Sequence, residues 1–379
     1  MANRLALITL TCAAFSPPSG AQASPASASA GWQISATVAE ESVGQGLPVL
    51  ALDRPDWPDH MSDQLANARA FRSMKIELSA THPTGWRMAT LTRAEAWLHA
   101  NANAVTLATL QAQRSDPATV RNFSLYARTQ SWQGDGILVG TPWWKLDTSG
   151  AWQWQAEVTL LQLRQLNVAK LSGELHYRGG GLYDFDLHSR RSDTSITSPF
   201  LPASGASGLG ASLSVALIGQ PAPGWRVQLR ANDLASQLQW SDLATDTSAL
   251  NTNVTSRAPD GSLDYAPLIK GQKALVEVTS RMGVNWQAQV AWSAFENQRQ
   301  SGAVTLRANR KTEINQFWLG WDSGDLTPKT PRWHIEFEPS WQALKLEMSW
   351  GGWQILIATD GKDLNSQYRQ LRLGWQTYF

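Results

Sequence analysis

The residues of this chain that could do chemistry are few and scattered. Asp186, His188 and Ser189 stand almost side by side and are the residue types of a hydrolytic triad, in which a base activates a serine hydroxyl. They lie in "LYDFDLHSR", however, where Tyr183, Phe185 and Leu187 alternate with polar residues. On such a strand Ser189 faces away from His188, and the triad does not assemble locally. A second group, Asp53, Asp56, Asp59, His60 and Asp63 in "DRPDWPDHMSD", offers oxygen ligands for a divalent cation. Its spacing fits no calcium loop, and its two prolines read as a surface loop, so no metal site is assigned. The only cysteine, Cys12, lies near the start, and no zinc spacing or phosphate-cradling glycine loop occurs. No cofactor is implied, and a lipid-modifying enzyme ranks third among the functions considered.

The chemistry is thin because the elements around it have another purpose. The first segment carries Arg4, an apolar run from Leu5 to Phe15, Pro17-Pro18 and a small-residue site at Ala21 to Ala23. That is the pattern of a secretory signal peptide over 1–23, removed with Cys12 inside it. A small-residue tether follows over 24–30, and 31–379 is read as one domain. A formal net charge of +1 gives no electrostatic footprint for a nucleic acid. No later run is long and apolar enough for a helical membrane span.

From Gly31 onward the dominant signal is period two, in runs of about ten residues, the length of a tilted membrane-spanning strand. In "GWRVQLRAN", Trp225, Val227, Leu229 and Ala231 alternate with Arg226, Gln228, Arg230 and Asn232. Similar alternation runs through 74–79, 284–292 and 333–338. Short turns are expected at 82–85, 114–119, 147–150, 178–181, 220–224, 281–283, 310–313 and 338–340, with longer connections at 41–66, 190–207, 241–269 and 322–331. With the short turns on one rim and the long loops on the other, the reading is an all-β, closed antiparallel transmembrane barrel. It has about 16–18 strands, short periplasmic turns and longer extracellular loops.

The 20 tryptophans fit the same reading, since Trp settles where one side is apolar and the other wet. Trp86, Trp152, Trp225, Trp286, Trp341 and Trp375 are assigned as membrane-interface anchors, most of them at or just after a short turn. A second group, with Trp97, Trp132, Trp240, Trp292 and Trp321, is expected toward the opposite rim. The inward face would carry Lys75, Glu77, Arg87, Arg93, Glu95, Glu174, His176, Arg178, Asp184, Asp186, His188, Arg190, Arg226, Arg230, Arg307, His334 and Glu336. Both signs are interleaved there, which suits a water-filled lumen with weak selectivity.

In the final segment, "QLRLGWQTYF", Leu371, Leu373, Trp375, Thr377 and Phe379 form one face. Here the chain resembles the gram-negative outer-membrane β-barrel class, whose closing strand ends in alternating apolar residues, a glycine and a terminal aromatic. Arg372, Gly374, Trp375 and Phe379 stand in that pattern, while Thr377 stands where an aromatic is usual. The resemblance implies an outer-membrane location, contact with outer-membrane lipid, and recognition of the last strand by the barrel assembly machinery. The function expected is a porin-like channel for passive diffusion of small hydrophilic solutes, with 241–269 or 41–66 narrowing its entrance. Such pores often form homo-oligomers. The alternative is an exit port or scaffold for polysaccharide export or envelope assembly, closed when alone.

Overall fold

A computed structural model describes residues 31–49, 67–197, 205–252, 255–257, 263–265, 268–293, 302–324, 330–361 and 365–379. Residues 1–30, read above as a signal peptide and tether, and the Asp53 to Asp63 cluster lie outside them. The period-two runs form β1 (Gln33–Gln45), β2 (Ala68–Thr81), β3 (Arg87–Ala100), β4 (Arg121–Gly140), the two-residue β5 (Trp144–Lys145) and β6 (Trp152–Gly179). They continue as β7 (Leu182–Asp193), β8 (Ser207–Gly219), β9 (Trp225–Asn251), the small hairpin β10 (Thr255–Arg257) and β11 (Leu263–Tyr265), β12 (Ile269–Ser280) and β13 (Asn285–Trp292). The chain finishes through β14 (Ala303–Lys311), β15 (Ile314–Asp322), β16 (Arg332–Glu338), β17 (Ala343–Trp350), β18 (Trp353–Thr359) and β19 (Tyr368–Tyr378). One helix, α1 (Ala102–Ala112), sits between β3 and β4, its first turn capped by the Asn101 side chain accepting from the Ala104 N–H.

Neighbours pair antiparallel all round, and β1 closes the sheet by pairing with both β2 and β19. Closure leaves no row of unpaired backbone groups, the condition a spanning sheet must meet in lipid. β7 and β8 follow one another between β6 and β9, and β12 and β13 do the same along the other side of β9. Counting each such couple as one crossing and β5 as a spur on β6, fourteen strands close the barrel among the described residues.

The expected 16–18 strands are therefore too many, and the reason is visible in β6 and β9. They run for 28 and 27 residues, longer than a membrane crossing, and with β4, β7 and β12 they stand above the barrel as a flange.

The loops also sort less cleanly than expected. The strand ends that flank 46–67 and 252–268 do lie on the rim opposite the chain ends, but the short turn expected at 114–119 lies on that far rim as well, behind a helix that the period did not predict. Turns near 178–181, 310–313 and 338–340 lie on that far rim too, while 322–331 joins 82–85, 147–150 and 220–224 on the terminal rim. Segment 281–283 is a break within a wall, and 241–251 continues β9 instead of forming an entrance loop. At the terminal rim Gly85, Gly224 and Gly352 take φ of 92°, 75° and 86°, a conformation glycine adopts freely, and each hands the chain to a Trp. In the 147–150 turn, the Ser149 hydroxyl and then the Trp152 N–H bind the Asp147 carboxylate and hold its pKa below the usual range.

The wall is inside-out relative to a soluble protein. Leu319 and Leu344 on the outer face are 56% and 54% exposed, while Glu336 and Gln354 on the inner face are 1% and 0% exposed. An apolar outside and a polar inside is the arrangement a bilayer requires. It follows that Leu319→Arg, in the middle of the outer face, should destabilise the barrel by about 2–4 kcal/mol in a bilayer. The comparison of Leu319→Arg with Leu319→Ala in urea titrations of vesicle-inserted protein isolates the charge from the lost side chain.

Candidate functional site

The strands deliver the predicted charges to the inside, but packed against one another rather than lining open water. On the β2, β3, β6 and β9 walls, Glu77 meets Lys75 at 2.5 Å and binds Arg87. Arg87 in turn binds Glu157, which receives Arg230 at 2.9 Å. Higher up, the Arg93 guanidinium donates to Glu95 at 3.0 Å through Nε and to Asp233 at 2.9 Å through Nη1. Arg93 and Asp233 stand on β3 and β9, so this contact spans the lumen. On the opposite wall Glu336 gathers Arg307 at 3.1 Å, Lys345 at 3.2 Å and His334 at 3.6 Å, and Lys345 lies 3.8 Å from the Trp318 ring centre. Lys311 on β14 reaches Glu41 on β1, a second bridge across the barrel. Arg69 and Glu313 form a third at 3.1 Å, near the far rim.

Between these charges the interior is greasy. Trp132, Leu161, Leu163, Leu166, Leu238, Trp240 and Leu243 form one buried cluster with Met282. Val43, Phe71, Ile314, Trp318, Leu356 and Tyr368 form another. The first cluster exists because walls break. Asp233 takes φ of 56°, where Asp is tolerated and most side chains are not, and its N–H donates to Ser214 at 3.1 Å. Beside it the 281–284 break turns Met282 inward, fixed by its N–H to the Ser236 hydroxyl at 3.0 Å. Gln130, from β4, donates to the Arg281 carbonyl at 3.2 Å. The walls carrying β4 and β13 are thus pinched together. The wide lumen expected from the strand count is narrowed by two buried clusters and by ion pairs that reach across it.

Lys75, Glu77, Arg87, Arg93, Glu95, Arg230, Arg307, His334 and Glu336 all enter these networks. Glu174, His176, Arg178, Asp184, Asp186, His188 and Arg190 lie instead on the flange, above the packed section, where Arg178 pairs with Asp184. Arg226 is exposed near the terminal rim. Ser189 shares its hydrogen with Ser248 at 2.7 Å, while His188 pairs in register with Ser172, so the strand separates them.

Sequence reasoning missed Glu41, Glu157, Asp233, Lys311 and Lys345. Glu157 alternates with Gln153 and Gln155 and was legible by period. The function of Asp233 depends on a bulge that no alternation announces.

Among the predicted anchors, Trp86 and Trp225 are exposed at the terminal rim, where Trp32, Trp292, Trp321, Trp333, Trp350 and Trp353 also lie exposed. Trp152 and Trp375 are half-buried there. Trp286 is exposed but belongs to the far half of the wall, one row from the 311–314 turn. Trp341 is a correction: it packs inside, 6.1 Å from the Tyr368 ring and nearly parallel to it. The second group divides as well, with Trp132 and Trp240 buried in the interior and Trp292 and Trp321 on the terminal rim.

No protein-family model matches the chain, and no curated protein matches it. Solved structures similar to it include a deletion mutant of TodX, a monoaromatic hydrocarbon channel, at 11% identity over 92% of this chain and 90% of that one, with a TM-score of 0.42. CymD, another monoaromatic hydrocarbon channel, is 6% identical over 92% and 88% of the two chains, with a TM-score of 0.29. The ferric-catecholate import receptor Fiu from E. coli K12, in an open form, is 9% identical over 96% and 66%, with a TM-score of 0.26. What decides the class is the molecule's own wall, closed, antiparallel, apolar outside and polar inside. It is a closed antiparallel transmembrane β-barrel. Its last strand carries Arg372, Gly374 and Trp375 into the seam with β1, where the Phe379 N–H donates to the Trp32 carbonyl at 2.9 Å and the Phe379 ring is exposed.

Proposed function

We propose that this barrel is an outer-membrane channel that is shut at rest. The observation that carries the reading is the set of contacts across the lumen, Arg93 with Asp233 and Lys311 with Glu41. A permanently open diffusion pore needs a continuous column of water, and these contacts interrupt it. The charges on the flange, with Glu174, His176, Asp186, His188 and Arg190 on its lumen-side face, then form a vestibule in front of the closed section. Small hydrophilic solutes remain the substrate class that the mixed charges favour. The terminal rim is the periplasmic one in this reading, its exposed tryptophans anchor the interface, and the β19 strand ending in Phe379 is the segment handed to the barrel assembly machinery.

The test is single-channel conductance of the refolded chain in a planar bilayer. The native barrel is expected to be closed for most of the recording, with rare openings, and Lys311→Met is expected to raise the open fraction several-fold. A large, steady conductance from the native barrel would overturn the shut state. The exit-port reading is favoured by the same closed interior, and it predicts silence in both proteins, since its opening would come from a periplasmic partner.

A further inference from the structure

On the outer wall, Leu229, Trp286, Ala288, Ala308 and Phe317 enclose a groove of about 500 Å³. The register explains it. Leu229, Ala288, Ala308 and Phe317 lie in one row across β9, β13, β14 and β15. The two alanines leave a floor between large flanking side chains. One row toward the far rim, Trp286, Arg310 and Asn315 stand together, also on the outer face. Arg310 is exposed and has no hydrogen-bond or ion-pair partner among the described residues.

That is unusual on this wall. Arg72 and Arg164 also point outward, and each holds a carboxylate, Arg72 that of Glu40 at 2.9 Å and Arg164 that of Asp135. The acids nearest Arg310 are committed elsewhere. Glu313 pairs with Arg69, and the Glu338 oxygens accept from the Phe317 and Trp341 N–H groups at 3.4 and 2.7 Å.

A bare guanidinium at the rim of an apolar wall, above an apolar groove, has one complement in its surroundings. We infer that this face binds a phosphorylated membrane lipid, with the phosphate on Arg310 and an acyl chain lying over Ala288 and Ala308. Guanidinium binds phosphate through paired, charge-assisted hydrogen bonds, and the groove would bury methylene groups that otherwise pack poorly against the wall. The inference rests on the membrane reading of the barrel, since a soluble protein would meet no such ligand there.

The experiment uses the refolded full chain in phosphatidylcholine vesicles containing a small fraction of bisphosphorylated lipid A, with insertion followed by heat-modifiable gel mobility. After transfer to detergent, the lipid A retained per barrel is counted by mass spectrometry. The native chain is expected to retain it, and Arg310→Gln to retain about tenfold less. Ala308→Trp, which fills the groove from a side facing lipid, should lower retention while leaving Arg310 in place. Lipid A stripped of its phosphates should be retained by the native chain no better than intact lipid A is by Arg310→Gln. Equal retention by the native and Arg310→Gln chains, or equal retention of the phosphate-free lipid, would overturn the site while leaving the barrel reading intact. A chain that never inserts would overturn both.

Discussion

Replacing Arg93 with methionine should lower the stability of the barrel by about 3–5 kcal/mol, because it strands two carboxylates that have no water to turn to. Asp233 and Glu95 are both buried, and Arg93 is the cation that both share. Urea titration of the vesicle-inserted protein, followed by Trp fluorescence, measures the loss. Arg93→Lys keeps the charge but not the two-sided fork, so a smaller loss is expected. The same Arg93→Met protein should leak ions in the planar bilayer, since the contact it removes joins β3 to β9 across the interior. A loss under about 1 kcal/mol would mean that the two carboxylates reach water in the folded barrel, as exposed pairs do.

The second large effect is expected at Trp240. It is fully buried among Leu161, Leu163, Leu238 and Met282, and its removal as Trp240→Ala should cost about 3–5 kcal/mol through lost transfer energy and an unfilled cavity. Its ring lies against Gly208, where a Cβ would stand 2.6 Å from the indole. Gly208→Val should therefore disturb the same cluster from the other side, by about 1–3 kcal/mol of overpacking. Both variants bear on conduction. If the apolar cluster is part of the seal, Trp240→Ala should open it and raise conductance, whereas Gly208→Val should crowd it and leave the channel closed. An unchanged conductance in Trp240→Ala with the expected loss of stability would assign the cluster to folding alone.

The pairs that matter most to these outcomes are far apart in the chain: Arg93 and Asp233 are separated by 140 positions, Glu41 and Lys311 by 270. Nothing local links them. Asp233 illustrates why, since its side chain reaches Arg93 only because a left-handed residue breaks the alternation of β9. In the sequence it reads as one more polar residue on a strand. Trp132, Trp240 and Trp318 show the same limit in the apolar residues. Each stands at an alternating position like Trp225 and Trp321, but the first three turn inward and the other two turn outward. Period two separates two faces without saying which of two greasy environments, lipid or a packed interior, a given tryptophan meets.

By itself the sequence determined the strands, their antiparallel order, the apolar outer face and the closing pattern ending in Phe379. Lipid on one side and a polar interior on the other impose a period that survives in any window of ten residues. It determined the strand number poorly, because β6 and β9 continue past the membrane and because β7 with β8, and β12 with β13, are pieces of single crossings. Length in sequence records how far a strand runs, not whether two pieces lie end to end. Only the tertiary structure decided which charges meet across the lumen and where bulges pinch the walls together, because both are relations between strands that share no local pattern.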